Sequence, residues 1–343
     1  MKIILDAMGG DNAPEAPVLG AIAAAGDFGS QITLVGRGEE ILAVLKKNNI
    51  ADLPKGLEIA NADDVVDMHD DPAAVLHKRK NSSMVVGLKM LSEGAGDAFV
   101  SAGSTGALLT AATLVVKRVK GIRRAAMAPA FPNKAGSKAI ICDCGANAEC
   151  TPEFLLQFAI VGSLHAKKTL KLDNPRVGLL NIGTEDSKGT ALQLAVYPML
   201  QQAHEQGLIN FIGNVEARQV PMGEVDVVVC DGFSGNVLLK SIEGTAMFLG
   251  STVSGIFKKN FVSKLAAMLV MKDIKAFKKL LDYREIGGTQ FLGIKKPVIK
   301  AHGSSDARAF YNAVRQAVDA ANNNTADELE VALKQIAAAK EKT

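Results

Sequence analysis

Tryptophan is missing from this chain, and aromatic residues of every kind make up only 5% of its composition. Proteins that hold single-stranded nucleic acid commonly stack the bases on aromatic rings, and this chain has few rings to offer. The net charge of +3 at pH 7 gives no independent reason to expect a polyanionic partner. The composition therefore predicts no nucleic-acid partner.

Cysteine is also scarce, with four residues of this type at positions 142, 144, 150 and 230. They are too few and too unevenly spaced to form the disulfide framework of small secreted proteins. Zinc sites usually show a second ligand pair downstream of the first, and the sequence has no such pair. We expect thiols in a reducing compartment, with no cofactor and no metal ion.

Long apolar runs are absent as well. The longest, "TGALLTAATLVV" at 105–116, ends at Lys117 and is shorter than the ~18 residues of a membrane-spanning helix. The N-terminal apolar run at 3–5 stops at Asp6, far short of a signal-peptide core. We expect a soluble chain in the cytoplasm.

Short β-like runs alternate with helix-like segments along most of the chain. Continuous apolar strands separated by helices are typical of a mostly parallel sheet covered on both faces. The pattern predicts an α/β fold of three α/β/α layers, forming a single catalytic domain over residues 1–335. The predicted strands are 2–7, 31–36, 97–103, 138–145, 176–183, 209–215 and 226–232.

One segment departs from this alternation, because residues 253–282 carry seven lysines and apolar residues at helical spacing. This pattern predicts an amphipathic, cationic helical protrusion, inserted at 245–285. One interpretation is that its apolar stripe packs against the core or a second subunit. The other is that it contacts anionic lipid at a membrane surface, and in a dimer one part could pack while another part meets the lipid. The predicted membrane-contact residues are Phe257, Lys258, Lys259, Phe261, Lys264 and Leu265.

Ligands of open α/β sheets bind beyond the carboxyl ends of the strands, so the loops that follow the strands are the candidate site. These loops repeatedly combine small residues, a glycine and an Asp, Asn or Thr. Such a composition exposes backbone N–H groups and adds neutral hydrogen-bonding side chains. The loops are 6–12, 101–107, 143–147, 181–189, 213–217 and 231–236.

The loop "SAGSTGA" at 101–107 is the best candidate for holding an anion. Its glycines allow close approach, and the helix that follows would offer N–H groups and a favourable dipole to a phosphate. The stretch "DGFSGN" at 231–236 repeats this arrangement. By contrast, "LDAMGGDNAP" at 5–14 has carboxylates on both sides of its glycine pair, which predicts a wall of the site.

Familiar nucleotide-binding motifs are incomplete. The stretch "GTEDSKG" has the lysine of a P-loop but lacks the glycine that precedes it, and "GRGEEI" at 36–41 matches only the first two glycines of the dinucleotide fingerprint. A decarboxylating dehydrogenase of the same broad fold is the alternative enzyme class. A non-enzymatic membrane scaffold is a third hypothesis, but it leaves the polar loops unexplained.

His302, in "AHGSSDARAF", precedes a predicted helix N-terminus and is the histidine placed to face the cleft. The candidate loops supply neutral donors and carboxylates but no evident covalent nucleophile. Such a cleft suits a reaction whose attacking group is itself an anion, such as phosphate, which needs mainly positioning and stabilisation of an oxyanion.

The chain resembles the PlsX family of acyl-[acyl carrier protein]:phosphate acyltransferases. The resemblance is carried by "MKIILDAMGGDNAP", "SAGSTGA", "DCGAN", "NIGTEDSKG", "DGFSGN" and "HGSSDARAF", which occur in this order from residue 1 to about 330. It implies a fold similar to the phosphate acetyltransferase and isocitrate dehydrogenase-like group.

The resemblance further implies transfer of a long-chain fatty acyl group from acylated acyl carrier protein to inorganic phosphate. Phosphate would attack the thioester directly and form acyl phosphate for phospholipid synthesis. A homodimer is implied, with peripheral contact to anionic membrane lipid. A downstream glycerol-3-phosphate acyltransferase would take the product.

Roles for single residues follow from their positions in these loops. The predicted phosphate-binding residues are Asn12, Gly103, Ser104, Thr105, Gly106, Asn147, Gly183 and Ser234. The predicted catalytic residues are Lys188, His302 and Asn236, and the predicted orienting carboxylates are Asp11, Asp143, Glu185 and Asp231. A divalent-metal site built from those four carboxylates remains an open alternative, because hard cations prefer oxygen ligands.

Overall fold

The computed structural model of the chain describes residues 1–274, 282–323 and 325–340. Within them the strands form two sheets, one of seven strands and one of five. The strands are β1 (Lys2–Asp6), β2 (Gln31–Gly36), β3 (Leu57–Asn61), β4 (Ala98–Ser101), β5 (Ala126–Met127), β6 (Ala130–Pro132), β7 (Lys138–Cys142), β8 (Arg176–Asn181), β9 (Asn210–Glu216), β10 (Val227–Val229), β11 (Gly288–Leu292) and β12 (Val298–Ala301).

Helices connect most of the strands. They are α1 (Glu15–Phe28), α2 (Gly38–Lys47), α3 (Val75–Lys78), α4 (Ser83–Ser92), α5 (Thr105–Ala111), α6 (Pro152–Thr169), α7 (Ala191–Glu205), α8 (Gln219–Met222), α9 (Gly232–Lys258), α10 (Phe261–Leu269), α11 (Tyr283–Ile286), α12 (Ala307–Asn322) and α13 (Ala326–Lys340). A π-helical turn at Ala112–Val116 continues α5.

The seven-stranded sheet has the order β3-β2-β1-β4-β12-β11-β5, and the five-stranded sheet has the order β6-β7-β10-β8-β9. The first five strands of the larger sheet are mutually parallel, and so are β7, β10, β8 and β9 in the smaller one. The predicted α/β class is confirmed. The parallel strands are nevertheless divided between two sheets, whereas the sequence predicted one.

Helices cover both faces of the central strands of the larger sheet, which explains why β1 and β4 are almost entirely apolar and buried. Successive side chains of a strand point to opposite faces. In β1, Ile3 and Leu5 belong to the core beneath α1 and α12, whereas Ile4 packs with Phe99 and α4 on the other face. Each of these side chains is at most 1% exposed.

Two features of the larger sheet position the site. The late strand β12 pairs in parallel with β4, so the chain beyond residue 301 returns to the carboxyl edge shared with β1 and β4. The short strands β5 and β6 lie in different sheets, although only residues 128–129 separate them. The chain therefore passes directly from one sheet to the other.

The predicted basic protrusion forms two helices. α9 begins inside the fold, where Gly232, Gly235 and Leu238 are buried, and its second half is exposed. Asn260 separates the two helices, because its side chain accepts a hydrogen bond from Ser263 N at 2.8 Å and starts α10. Residues 275–281 of the predicted insertion lie outside the described part of the chain.

The two helices expose an unusual amount of apolar surface. Phe248 is 66% exposed, Phe261 is 74% exposed and Leu269 is 88% exposed. Lys258, Lys259 and Lys264 are exposed on the same segment, and Phe257 is half-buried. In the described residues, no helix has both the length and the apolar content that crossing a bilayer requires.

Gly235 lets α9 approach the loop after β7, and this contact yields a stability prediction. A Cβ at this position would lie 2.0 Å from the carbonyl oxygen of Asp143. We expect Gly235→Ala to lower the free energy of unfolding by about 2 kcal/mol or more, because the helix must move away. Urea unfolding followed by circular dichroism measures the change.

Gly244→Ala is the matched control on the same helix, since a Cβ there meets nothing within 4 Å. We expect this variant to gain about 1 kcal/mol, because alanine is the better helix former. Equal stability of the two variants would contradict the packing described here.

Candidate active site

Three loops of the seven-stranded sheet come together at its carboxyl edge. They follow β1, β4 and β12, which are neighbours in the sheet, and we call residues 6–12, 101–106 and 302–306 the first loop cluster. Asp11 N donates to Gly303 O at 2.8 Å, and Asn12 Nδ2 donates to the carbonyl oxygens of Ser304 and Ser305, both at 3.2 Å. Residues nearly 300 positions apart in the sequence are thus joined.

The glycine pair of the first loop permits this close approach. Gly10 has a φ of +102°, and a Cβ on it would lie 2.9 Å from Ala102 Cβ and 3.0 Å from Gly303 O. This loop therefore packs against both neighbouring loops. The prediction that this loop forms a wall of the site stays a prediction. Asn12 uses both amide hydrogens in these links, and its predicted contact with phosphate stays a prediction.

A buried carboxylate organises the floor of the first loop cluster. Asp6 is 1% exposed, and its Oδ2 accepts a hydrogen bond from Ser101 Oγ at 2.6 Å. Burial raises the pKa of Asp6, and hydrogen bonds from Ser101, Ser83 and backbone amides oppose that rise. Gly103 N donates to Ser101 Oγ at 3.0 Å, so the N–H of this predicted phosphate-binding residue is engaged inside the loop.

The start of α5 lies beside this network. Ser104 precedes the helix and is 8% exposed, and its side chain makes no capping hydrogen bond. Thr105 and Gly106 form the first turn, whose N–H groups have no carbonyl partner inside a helix. The three residues predicted to hold phosphate therefore stand together at the carboxyl edge.

Lys300 is the residue that the sequence reasoning missed. It lies on β12, is half-buried, and its Nζ donates to the carbonyl oxygens of Ala102, at 3.4 Å, and of Ala301. Burial lowers the pKa of Lys300 to about 8, although the charges of Asp11 and Asp6 oppose the change. The only signal in the sequence was a lysine inside the apolar run "PVIKA" just before His302, in a strand that had not been predicted.

His302 follows Lys300 on the same edge. Its Nδ1 accepts a hydrogen bond from Ser304 N at 3.3 Å and lies 2.8 Å from Ser304 Oγ. A backbone N–H can only donate, so the proton of the neutral ring sits on Nε2. Partial burial lowers the pKa of His302, and the positive charges of Lys240 and Lys300 add to this effect. The lowered pKa favours the neutral ring of His302, with its proton on Nε2.

A second loop cluster, residues 143–147 and 231–236, follows β7 and β10 of the five-stranded sheet. Asp143 is fully buried, and burial raises its pKa. Five N–H donors surround its carboxylate, at 2.6 to 3.3 Å; they come from Met127, Cys144, Ala146 and, through both backbone and side chain, from Asn147. The carboxylate of Asp143 therefore fixes the loop after β7, and its predicted role in orienting donors toward a substrate stays a prediction. The other amide hydrogen of Asn147 is donated to Ala125 O at 2.8 Å.

Asp231 starts α9 within this second cluster. Its two carboxylate oxygens accept from Ser234 N and Ser234 Oγ, each at 2.8 Å. The backbone N–H and the hydroxyl of Ser234 both donate to Asp231, and the orienting role predicted for Asp231 stays a prediction. The side chain of Asn236 passes 3.8 Å from the position of a Cβ on Gly145. Asn236 thus faces the loop after β7.

The third turn of α9 connects the two clusters electrostatically. The charges of Lys240 and Glu243 act on Cys144 in the second cluster and on His302 in the first. Lys240 and Glu243 therefore lie within electrostatic reach of both clusters, and we treat the space between the clusters as the candidate cleft. Lys240 adds a cation to that cleft, where its side chain pairs with Glu243 at 2.7 Å.

The loop after β8 forms a turn of its own. Asn181 Nδ2 donates to Lys188 O at 2.9 Å, and Asn214 Nδ2 donates to Glu185 O at 2.7 Å. The side chains of Glu185 and Lys188 are exposed, and Gly183 packs against Glu185. Among the described residues no hydrogen bond joins this loop to either cluster. The roles predicted for Gly183, Glu185 and Lys188 stay predictions.

The four predicted carboxylates are not gathered into a metal site. In residues 1–274, 282–323 and 325–340, no group of three His, Cys, Asp or Glu side chains has the arrangement that could hold a metal ion. The cysteines are poor nucleophiles, because burial raises the pKa of Cys144 and of Cys150 to about 12 and that of Cys142 and of Cys230 well above the usual value.

Comparison with solved structures supports the fold. A phosphotransacetylase from Streptococcus pyogenes matches with a TM-score of 0.59 and 20% identity, and the match covers 94% of each chain. At this level of identity the likeness concerns the fold alone. The predicted similarity to the phosphate acetyltransferase fold is confirmed.

Comparison with known sequences gives a closer relationship. A family model described as fatty acid synthesis protein matches residues 1–328. A phosphate acyltransferase from Thermoanaerobacterium thermosaccharolyticum is 45% identical over 317 residues, which is 92% of both chains. Another from Bacillus licheniformis is 43% identical over 336 residues, covering 98% of this chain and 99% of the relative. The chain therefore belongs to the fatty acid synthesis protein family of phosphate acyltransferases, as its motifs predicted.

Proposed function

We propose that this enzyme transfers a long-chain acyl group from acyl carrier protein to inorganic phosphate, in the cleft between the two loop clusters. The observation that carries the proposal is the grouping of Lys300, the neutral His302 and the first turn of α5 at one carboxyl edge. An ammonium group and uncharged N–H donors together suit a phosphate that must be held and still remain nucleophilic.

The reaction proceeds by direct attack of phosphate on the thioester. A phosphate oxygen forms a bond to the carbonyl carbon, and the carbon–sulfur bond of the thioester breaks. The proton of the attacking hydrogen phosphate passes to the sulfur, so the products are acyl phosphate and the carrier thiol. The high pKa values of the four cysteine thiols favour this route over an acyl-cysteine intermediate.

Each residue of the proposed site has a role in acyl transfer that follows from its chemistry. Lys300 has three N–H donors, and the carbonyls of Ala102 and Ala301 use two of them, which leaves one for phosphate. The Nε2–H of His302 donates to the oxyanion that develops on the thioester. Ser104, Thr105 and Gly106 bind the phosphate through backbone N–H groups, while Asp6 and Asp143 keep the loops in place.

The direct test supplies the enzyme with acylated carrier protein in the presence and absence of phosphate. We expect carrier thiol to be released only with phosphate, and acyl phosphate to form in equal amount; mass spectrometry measures both. Absence of release under any condition would contradict the proposed function. A stoichiometric acyl-enzyme formed without phosphate would contradict direct attack alone.

Lys300 provides a second prediction. We expect Lys300→Met to lower kcat/KM for phosphate by about 100-fold, because a preorganised donor to the reacting anion is lost. The pKa of about 8 means that the charged form disappears as pH rises through that value, so the wild-type rate falls above about pH 8. In Lys300→Arg this decline moves to higher pH, since a guanidinium stays charged.

Lys188→Met is the comparison variant. The sequence predicted Lys188 as a catalytic residue, whereas in the structure its side chain is exposed on the loop after β8. Steady-state kinetics and thermal unfolding of both variants separate catalysis from folding. A loss of activity in Lys188→Met together with full activity in Lys300→Met would overturn the assignment.

The exposed apolar surface of α9 and α10 supports a second part of the proposal. We propose that the chain is a homodimer in the cytoplasm, peripherally bound to anionic lipid through Phe257, Lys258, Lys259, Phe261, Lys264 and Leu265. Basic side chains beside exposed phenylalanine and leucine suit the interface of an anionic membrane. That location would bring acyl phosphate close to a downstream glycerol-3-phosphate acyltransferase.

Vesicle flotation tests the lipid contact. We expect the triple variant K258Q/K259Q/K264Q to lose most of its binding to vesicles with anionic lipid, because each lysine near the surface contributes about 1 kcal/mol. The triple variant K46Q/K55Q/K80Q removes the same charge elsewhere and should float as the wild type does. Unchanged flotation of K258Q/K259Q/K264Q would count against electrostatic docking at this site.

A further inference from the structure

A second basic surface lies far from α10 in the sequence. Residues 117–124 read "KRVKGIRR", which places five cations and no acidic residue within eight positions. We call this stretch the basic segment. It links the π-helical turn after α5 to β5, and nothing in the proposed chemistry uses it.

The basic segment is held firmly in place by its two apolar residues. Val119 is 4% exposed and Ile122 is 6% exposed, and both belong to the core around the five-stranded sheet. Val119 N donates to Gly293 O at 2.9 Å. Gln157 on α6 donates to Gly121 O at 2.9 Å and accepts from Arg123 N at 2.8 Å. The cations are therefore presented on a rigid backbone.

Three arginines of the segment line a groove. Its volume is about 1050 Å³, and its walls combine Arg118, Arg123 and Arg124 with apolar side chains of α6 and α13, among them Phe154, Leu333 and Ile336. The guanidinium carbon of Arg124 lies 5.8 Å from the ring centre of Phe154. Glu153 also lines the groove. A partner here meets positive charge together with apolar surface.

The groove borders the candidate active site. Ala125, the residue after the basic segment, accepts a hydrogen bond from Asn147 Nδ2 at 2.8 Å, and Met127 N donates to Asp143 Oδ1 at 2.8 Å. The charge of Arg124 acts on Cys150, close to the second loop cluster. A molecule seated in the groove is therefore adjacent to the cleft in which acyl transfer is proposed.

We infer that the basic segment and its groove form the docking surface for the acidic protein that carries the acyl thioester. The inference rests on the proposed function. Carrier proteins of this kind are acidic, so a rigid row of cations would steer and orient one as it binds. The apolar wall formed by Phe154, Leu333 and Ile336 would contact the arm of the carrier protein that bears the acyl thioester.

The test compares two double variants with the same change in charge. K120E/R123E reverses two exposed cations of the basic segment. K46E/K55E reverses two exposed lysines near β3, the edge strand at the far end of the sheet from β5. Each variant is assayed with acyl carrier protein, with a small acyl-pantetheine thioester as an alternative donor, and for direct binding of fluorescent carrier protein without phosphate.

We expect K120E/R123E to raise KM for acyl carrier protein by about tenfold or more and to weaken direct binding to the same extent, with a smaller effect at high salt. KM for phosphate and turnover of acyl-pantetheine should match the wild type, and K46E/K55E should match it in every assay.

An unchanged KM and unchanged carrier binding in K120E/R123E would overturn the docking inference and leave the proposed function standing. Wild-type enzyme that transfers no acyl group from either donor would refute the proposed function, while the binding assay would still report on docking. A third outcome is that the wild type binds labelled RNA tightly but binds no carrier protein, and that K120E/R123E abolishes the RNA binding. This result would assign the surface to nucleic acid and overturn the inference.

Discussion

The buried carboxylate of Asp143 is the interaction on which the rest of the site depends. Asp143 directly follows β7 of the five-stranded sheet, yet one of its donors is the backbone N–H of Met127, which belongs to the seven-stranded sheet. Asn147, held by the same carboxylate, accepts a hydrogen bond from Gly232 at the start of α9. Because a buried carboxylate without donors is costly, both sheets and the helix are held in one arrangement.

The cleft is electrostatically balanced by its own residues. The negative charges of Asp6 and Asp11 and two carbonyl acceptors stabilise the charged form of Lys300, although burial still lowers its pKa to about 8. That ammonium and Lys240 in turn help to keep His302 neutral. The site thereby places one titratable cation and one neutral imidazole side by side, and the proposed role in holding phosphate is built on this pair.

Most loops of the candidate site could be named from the sequence because ligands of open α/β sheets bind at the carboxyl ends of parallel strands. The loops after β1, β4, β7 and β10 were identified from their small and polar residues. Lys300 was missed because β12 is short and contains a lysine, so it did not read as a buried strand. The loop after β8 has the same composition as the others, and only the structure shows that it turns on itself.

Local patterns in the sequence determined the α/β class, the family and the set of candidate loops, since strand periodicity, glycine positions and helix-capping residues are read within a few neighbouring positions. The tertiary structure decided that the strands divide between two sheets, that β12 returns to lie beside β4, and that Asn260 breaks the protruding helix pair. It also decided which loops face each other and how Lys300 and His302 titrate. These properties depend on contacts between residues hundreds of positions apart and on burial, neither of which local sequence specifies.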